Sequence, residues 1–251
     1  MDLNYELIGN GKRSIVLLHY FGGNANSWNW VVQKLKKRFS IVLITLPGFG
    51  GTNPLNENSI FAFAKYINSC IEKLQLSDYI LCGHSMGAKL ILYADQIRLS
   101  NKAKGLILIA PSPPTGEKVP EENKKKLLPP PQEELARSNV RNTTVRKLKG
   151  KRLSTAIESQ LQTHPTTWRW WLTQGMQNDI SDRIKGIDTP TFVICAKKDP
   201  VIKMDVIYNE VLPNLHNPRL VQLGRCGHLI PLEAPRKLSR RIRKVANDLL
   251  V

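Results

Sequence analysis

Several features are scarce in this 251-residue chain, and each scarcity removes a class of protein. No apolar run approaches the roughly 18 residues needed to span a bilayer. Ile41–Leu46, one of the longest such stretches, is short and broken by Thr45. The opening Met1-Asp2-Leu3-Asn4-Tyr5-Glu6 lacks the basic and apolar regions of a secretory leader, so no export address is expected. Cysteine is sparse and unpaired in pattern: Cys70, Cys82, Cys195 and Cys226 lie far apart, with no C-x-x-C. Cys82 and Cys195 sit inside apolar runs, where a thiol behaves as a small hydrophobe, which points to a reducing cytoplasm rather than a disulfide scaffold. Glycine and proline, 16 of each, are too few for a collagen-like or low-complexity chain.

Acidic residues are also in deficit, 20 against 37 lysines and arginines, giving a net charge of +17. The basic residues thicken in four places, Lys34–Arg38, Lys124–Lys126, Arg146–Arg152 and Arg236–Lys244, and not in a single stripe. Neither zinc-finger spacing nor an aromatic-basic nucleic-acid signature accompanies them. A solvated basic surface without a specific nucleic-acid target is therefore expected, since net charge governs solubility and nonspecific binding before function.

What is present has a clear rhythm. Ser14–His19 and Ser40–Leu46 are β-branched and almost continuously apolar, and Tyr79–Cys82 and Gly105–Ala110 are shorter runs of the same kind. Helical patterns lie between them, over about Asn26–Lys37, Ile60–Leu74 and Met86–Arg98. Alternating strands and helices predict right-handed crossovers around a mostly parallel sheet, and unbroken hydrophobicity predicts strands covered on both faces. The rhythm stops for about 80 residues after Ala110, far more than one crossover needs. That stretch, bounded by Pro111-Ser112-Pro113-Pro114 and strand Thr191–Ala196, reads as a helical insertion on the rim of the sheet. A helix near Lys203–Leu212, strand Arg219–Leu223 and a closing helix from Pro235 to Leu250 complete the pattern.

The strongest chemical signal is Gly83-His84-Ser85-Met86-Gly87, between a strand and a helix. A serine in so sharp a strand-to-helix turn leaves no room for side chains two residues to either side, hence the glycines. The turn lifts the hydroxyl above the carboxyl edge of the sheet and sets it at a helix N-terminus, which favours developing negative charge. A serine nucleophile needs a base and an orienting acid. Of five histidines, His84 reads as a packed turn residue, His19 ends a strand, and His164 and His216 lie in polar surroundings. His228, framed by Gly224 and Gly227 after the last strand, is poorly explained as core and is the candidate base. Asp199, between strand Thr191–Ala196 and Pro200, could be ordinary turn chemistry. The chain order Ser85, Asp199, His228 makes it the candidate acid instead, ahead of Asp182 and Asp205. His19-Tyr20-Phe21-Gly22-Gly23 would supply the Phe21 N–H of an oxyanion hole, with the Met86 N–H as its second donor.

With Leu46-Pro47-Gly48-Phe49-Gly50, these motifs resemble the α/β-hydrolase superfamily, specifically its small capped, esterase-like members, over nearly the whole chain. The resemblance implies an α/β-hydrolase fold with a core of residues 1–111 and 189–251 and a helical cap over residues 112–188. It implies a cofactor-free and metal-free serine hydrolase that cleaves carboxylic esters of small to medium acyl chains. Two departures stand out: Tyr20 occupies a position where many members have Gly, and Thr45 one where many have Asp. An Asp nucleophile, as in dehalogenases and epoxide hydrolases, is disfavoured by Ser85, and Pro111–Asp188 lacks the cap tyrosines of the latter. C–C bond hydrolases and perhydrolases share the triad, with Arg137 or Arg169 as candidate anion-steadying groups in the former. A triad-bearing ligand sensor that signals to a protein partner is a further alternative, and a nucleic-acid module resting on charge alone ranks last. Tyr20, Trp168 and Trp171 are the candidate substrate-binding residues, the two tryptophans falling on one helical face with Leu172. That face could equally be glue between insertion and sheet. Oligomeric state and natural substrate are not legible.

Overall fold

In the computed structural model, which describes residues 2–249, seven strands form one sheet in the order β1-β3-β2-β4-β5-β6-β7. The members are β1 (Tyr5–Ile8), β2 (Ser14–Leu18), β3 (Ser40–Ile44), β4 (Tyr79–His84), β5 (Gly105–Ile109), β6 (Thr191–Ala196) and β7 (Arg219–Leu223). All neighbours run parallel except β1, which pairs antiparallel with β3. Strands β2, β4, β5 and β6 are buried along their whole length, as their continuous hydrophobicity predicts. The edge strand β1 is half exposed and charged at Glu6, so its sequence carries no apolar run that would announce it.

Helices cover both faces. On one lie α1 (Asn29–Leu35), entered through a 3-10 turn at Ala25–Trp28 where a single helix over Asn26–Lys37 is expected, and the closing helix. On the other lie α2 (Ile60–Lys73), capped by the Ser59 hydroxyl on the Ala62 N–H, and α3 (Met86–Ile97). Between β5 and β6 the chain forms α4 (Glu121–Leu127), α5 (Glu133–Thr143), α6 (Lys151–Leu161) and α7 (Pro165–Trp170). Helix α7 continues as a π-helical turn, Trp171–Gly175, so the helix expected through Leu172 changes pitch at Trp171. After β6 come α8 (Met204–Val206), running on as a π-helical turn at Ile207–Val211, then α9 (Ile230–Glu233) and α10 (Pro235–Leu249). Met1, Leu250 and Val251, which the expected core bounds and closing helix include, lie outside the described residues.

Candidate active site

Strand β4 runs two residues further than its apolar pattern suggests, so Gly83 and His84 belong to it and the chain turns at Ser85 alone. Ser85 has φ of 53° and ψ of −112°, a region unfavourable for any residue with a side chain. The turn closes because its flanks are bare. A Cβ on Gly83 would collide with the carbonyl of Gly87, and one on Gly87 would lie 2.6 Å from the His19 carbonyl oxygen. The Ser85 N–H donates to the Ile109 carbonyl (2.9 Å), which anchors the strained residue to the neighbouring strand.

The tips of β4, β6 and the loop after β7 converge. Ser85 Oγ lies 3.0 Å from His228 Nε2, and His228 Nδ1 lies 2.9 Å from Asp199 Oδ2. The other carboxylate oxygen of Asp199 accepts the N–H groups of Val201 (2.8 Å) and Ile202 (2.9 Å), which fixes the plane of the acid. Because Asp199 only accepts, Nδ1 carries the proton and Nε2 presents its lone pair to the hydroxyl. Burial opposes charge on His228, but Asp199, aided by Glu117 and Glu233, outweighs it and raises the imidazole pKa above its ordinary value.

Two further histidines, set aside as catalytic candidates by sequence, position this constellation. His84 is fully buried, and its Nε2–H donates to the His228 carbonyl (2.9 Å) while burial holds its pKa well down. His19 Nε2 accepts the Leu46 N–H (3.1 Å), so its Nδ1–H donates to the Tyr20 carbonyl (2.8 Å). Burial lowers its pKa to about 4, keeping this clamp between β2 and the Leu46–Gly50 loop neutral. Thr45 Oγ1 accepts the Ala25 N–H (3.3 Å) and so anchors the turn before α1. His164 and His216 are exposed, as are Asp182 and Asp205, far from any such network.

The N–H groups of Phe21 and Met86 donate to no backbone or side-chain acceptor among the described residues. A cavity of about 770 Å³ opens above Ser85 and His228, and Tyr20, Phe21, Trp168 and Trp171 line it. Tyr20 is nearly all buried, its ring tilted against His84 with centroids 5.1 Å apart. Trp168 lies on Phe21 (centroids 4.3 Å) and its Nε1–H donates to the Leu127 carbonyl (2.8 Å). Trp171 also faces Phe21 (6.2 Å), while Trp170 stacks on Phe63 of α2 (4.9 Å) and does not line the cavity. The aromatic run therefore divides by residue: one tryptophan glues, two form wall. Arg137, paired with Glu133, and Arg169 line no part of the cavity.

Sequence reasoning passed over three polar groups here. Glu117 is the single carboxylate lining the cavity among the described residues, with its pKa raised by burial. Lys89, on α3 behind the serine, is wholly buried with one long contact, 3.5 Å to the Met176 carbonyl, and burial lowers its pKa to about 8. Glu233 accepts the N–H groups of Gly227, Val145 and Arg146 at 2.8–3.0 Å, tying the His228 loop to the chain after α5. The sequence shows Glu233 only as an acid in a helical first turn, with nothing to reveal partners near 145.

Residues 15–241 match the sequence profile of the Alpha/beta hydrolase family. An uncharacterized hydrolase of Bacillus subtilis, YugF, is 24% identical over 96% of this chain and 93% of its own length. A pimeloyl-[acyl-carrier protein] methyl ester esterase of Yersinia enterocolitica is 33% identical over 45% of this chain and 42% of its own. Among solved structures, the esterase EaEST of Exiguobacterium antarcticum superposes with a TM-score of 0.87 at 16% identity, covering 98% of this chain and 95% of that one. At that identity the likeness speaks to fold.

Proposed function

This chain belongs to the Alpha/beta hydrolase family, and from that premise we propose that it is a serine hydrolase cleaving carboxylic esters of small to medium acyl chains. The observation that carries the reading is the continuous relay Ser85 Oγ, His228, Asp199, with both gaps near 3 Å and each end pinned to backbone. Ser85 attacks the ester carbonyl as His228 takes its proton, and Asp199 holds the imidazole in the correct tautomer and stabilises its charged form. The carbonyl oxygen, gaining charge, is received by the N–H groups of Phe21 and Met86, each such donor contributing about 3 kcal/mol to the transition state. His228 returns the proton to the leaving alcohol, then activates the water that frees the acyl group. This sequence requires no metal or organic cofactor, and the four buried, unpaired thiols suit a reducing compartment.

Residues 112–188 are read as the substrate-selecting cap over the sheet core of 1–111 and 189–251. Tyr20, Trp168 and Trp171 are read as walls of the acyl site, consistent with a cavity of this size, part aromatic and part polar, taking a small molecule. A C–C bond hydrolase would need a cation near its enolate; Arg137 and Arg169 do not line the cavity, whereas Lys118, Lys124, Lys126 and Lys203 do. No helix among the described residues is long and apolar enough to cross a membrane.

The test is labelling with a fluorophosphonate, followed by a panel of p-nitrophenyl esters from acetate to laurate. Wild-type protein should label at Ser85 and turn over repeatedly. Ser85→Ala should lose labelling and about six orders of magnitude in kcat with an unchanged circular dichroism spectrum. Substantial turnover by Ser85→Ala refutes the mechanism; labelling with only a single round of ligand capture supports the sensor instead.

A further inference from the structure

A second concavity, about 380 Å³ in volume, lies where the chain after α5 and the start of α6 meet the first turns of α10. Arg146 and Arg152 line it from one side, and Arg236, Lys237 and Arg240 from the other. These residues come from two of the basic runs, some ninety positions apart in the chain, which the fold brings together. Arg236 and Arg240 are one helical turn apart on α10 and project from the same side.

The cations of this cleft outnumber its one carboxylate five to one. Its one carboxylate, Glu233, has both oxygens committed to the backbone N–H groups of Gly227, Val145 and Arg146. Among the described residues none of the five cations has a carboxylate within 4.0 Å, whereas Lys118, Lys124, Arg137 and Lys185 each do. Two of the five are nevertheless held in place by neutral groups. Arg152 Nη1 donates to the Leu232 carbonyl (3.2 Å), and its guanidinium lies 5.6 Å from the Trp30 ring centroid. Lys237 Nζ donates to the Gly224 carbonyl (2.9 Å). Neutral acceptors orient a cation without cancelling its charge, so the cleft is preorganised and self-repelling at once. A multivalent anion relieves that repulsion, and planar guanidinium forks suit the paired oxygens of a phosphate. The volume holds about a dozen waters, room for a phosphate ester or diphosphate.

We propose that this cleft binds a phosphate-bearing ligand of two or more negative charges, separately from the cavity above Ser85. The phosphate is either that of a free small molecule or that of an anionic phospholipid headgroup. Neither source depends on the reading of the hydrolase site.

The experiment measures pyrophosphate binding to the full chain by calorimetry at low salt, and co-sedimentation with vesicles of phosphatidylglycerol in phosphatidylcholine. Three proteins are compared: wild type, Arg146→Gln/Arg240→Gln, and a charge-matched control, Lys65→Gln/Lys185→Gln, altered outside the cleft. Melting temperature and circular dichroism establish that each is folded. Pyrophosphate affinity should fall at least tenfold in the cleft variant and less than twofold in the control. Pyrophosphate binding without vesicle binding assigns a free phosphate ligand; cleft-dependent vesicle binding assigns the headgroup. Equal losses in both variants would show that net charge alone binds anions and would overturn the site, as would failure of wild type to bind either probe.

Discussion

The carboxyl edge of the sheet and the helical segment between β5 and β6 meet over one cavity, yet they are built on different principles. At the sheet edge the relay is tied down by buried hydrogen bonds: Asp199 to the N–H groups of Val201 and Ile202, the His228 carbonyl to the His84 ring, the Ser85 N–H to the Ile109 carbonyl. Strands β4 and β6 beneath are hydrogen-bonded on both sides and β7 pairs with β6, so each loop starts from a strand held in the sheet. The helical segment has no such ladder. Helix α4 buries no residue, α5 buries two, and a handful of contacts fix the rest. Trp170 on Phe63, Trp168 on Phe21, the Glu233 carboxylate and the His228 N–H on the Thr143 carbonyl are the chief ones. A bond-making constellation tolerates errors of a few tenths of an ångström and needs the first kind of support; a cavity wall can be held by the second.

The largest expected effect separates the regions most sharply. Asp199→Asn should lower kcat by about 10⁴-fold, because the amide stabilises the wrong imidazole tautomer, while leaving acyl-chain preference intact. In wild type the base must be neutral, so kcat/KM should fall as pH drops through an apparent pKa above the ordinary histidine value. With Asn the attraction of Asp199 is lost and that acid limb should move to lower pH. A limb that stays in place would place its origin in another group.

The tryptophans come next and test whether the helical segment is wall or glue. Trp170→Ala should cost about 3–5 kcal/mol of stability in urea denaturation with an unchanged chain-length profile. Trp168→Ala should cost about 3 kcal/mol and also shift kcat/KM toward longer acyl chains, by about 1 kcal/mol per methylene accommodated. Identical profiles for the two variants would erase the distinction between them. Glu233→Gln probes the tie between the regions: losing a charged acceptor for buried N–H groups should cost about 2 kcal/mol. It should also lower kcat more than it raises KM, since the His228 loop is displaced.

The smallest effect concerns Lys89, a charge the sheet domain buries without a close carboxylate. Lys89→Met should stabilise the fold at pH 7 by about 1–3 kcal/mol. The folded pKa of about 8 lies below the ordinary lysine value of 10.5, so charging penalises wild type fully below pH 8. That penalty fades as pH rises from 8 toward 10.5, and the advantage of the variant should fade with it. A gain independent of pH would trace to packing alone.

The parallel sheet, the strand-turn-helix around Ser85 and the candidates Asp199 and His228 were legible in the sequence because each is encoded within a few residues. β-Branched runs specify doubly covered strands, and two glycines specify a turn that only a bare backbone can close. The edge strand β1 escaped because one exposed face leaves no apolar run, and the 3-10 entry to α1 because its turn residues also suit an α-helix. Tertiary structure alone decided what lies far apart in the chain. Ser85 and His228 are 143 residues apart, and their 3.0 Å contact depends on the register of β4, β5, β6 and β7 together. Trp168, Trp171 and Leu172 line the cavity as their shared helical face predicts, but that Trp170 is spent on Phe63 of α2 is decided by packing between distant segments. The grip of Glu233 on Val145 and Arg146, and the meeting of two distant basic runs beside it, likewise have no local signature. Sterics and hydrophobic period act within a turn or a strand and are written there; hydrogen bonds and charge act between whatever surfaces the packing brings together.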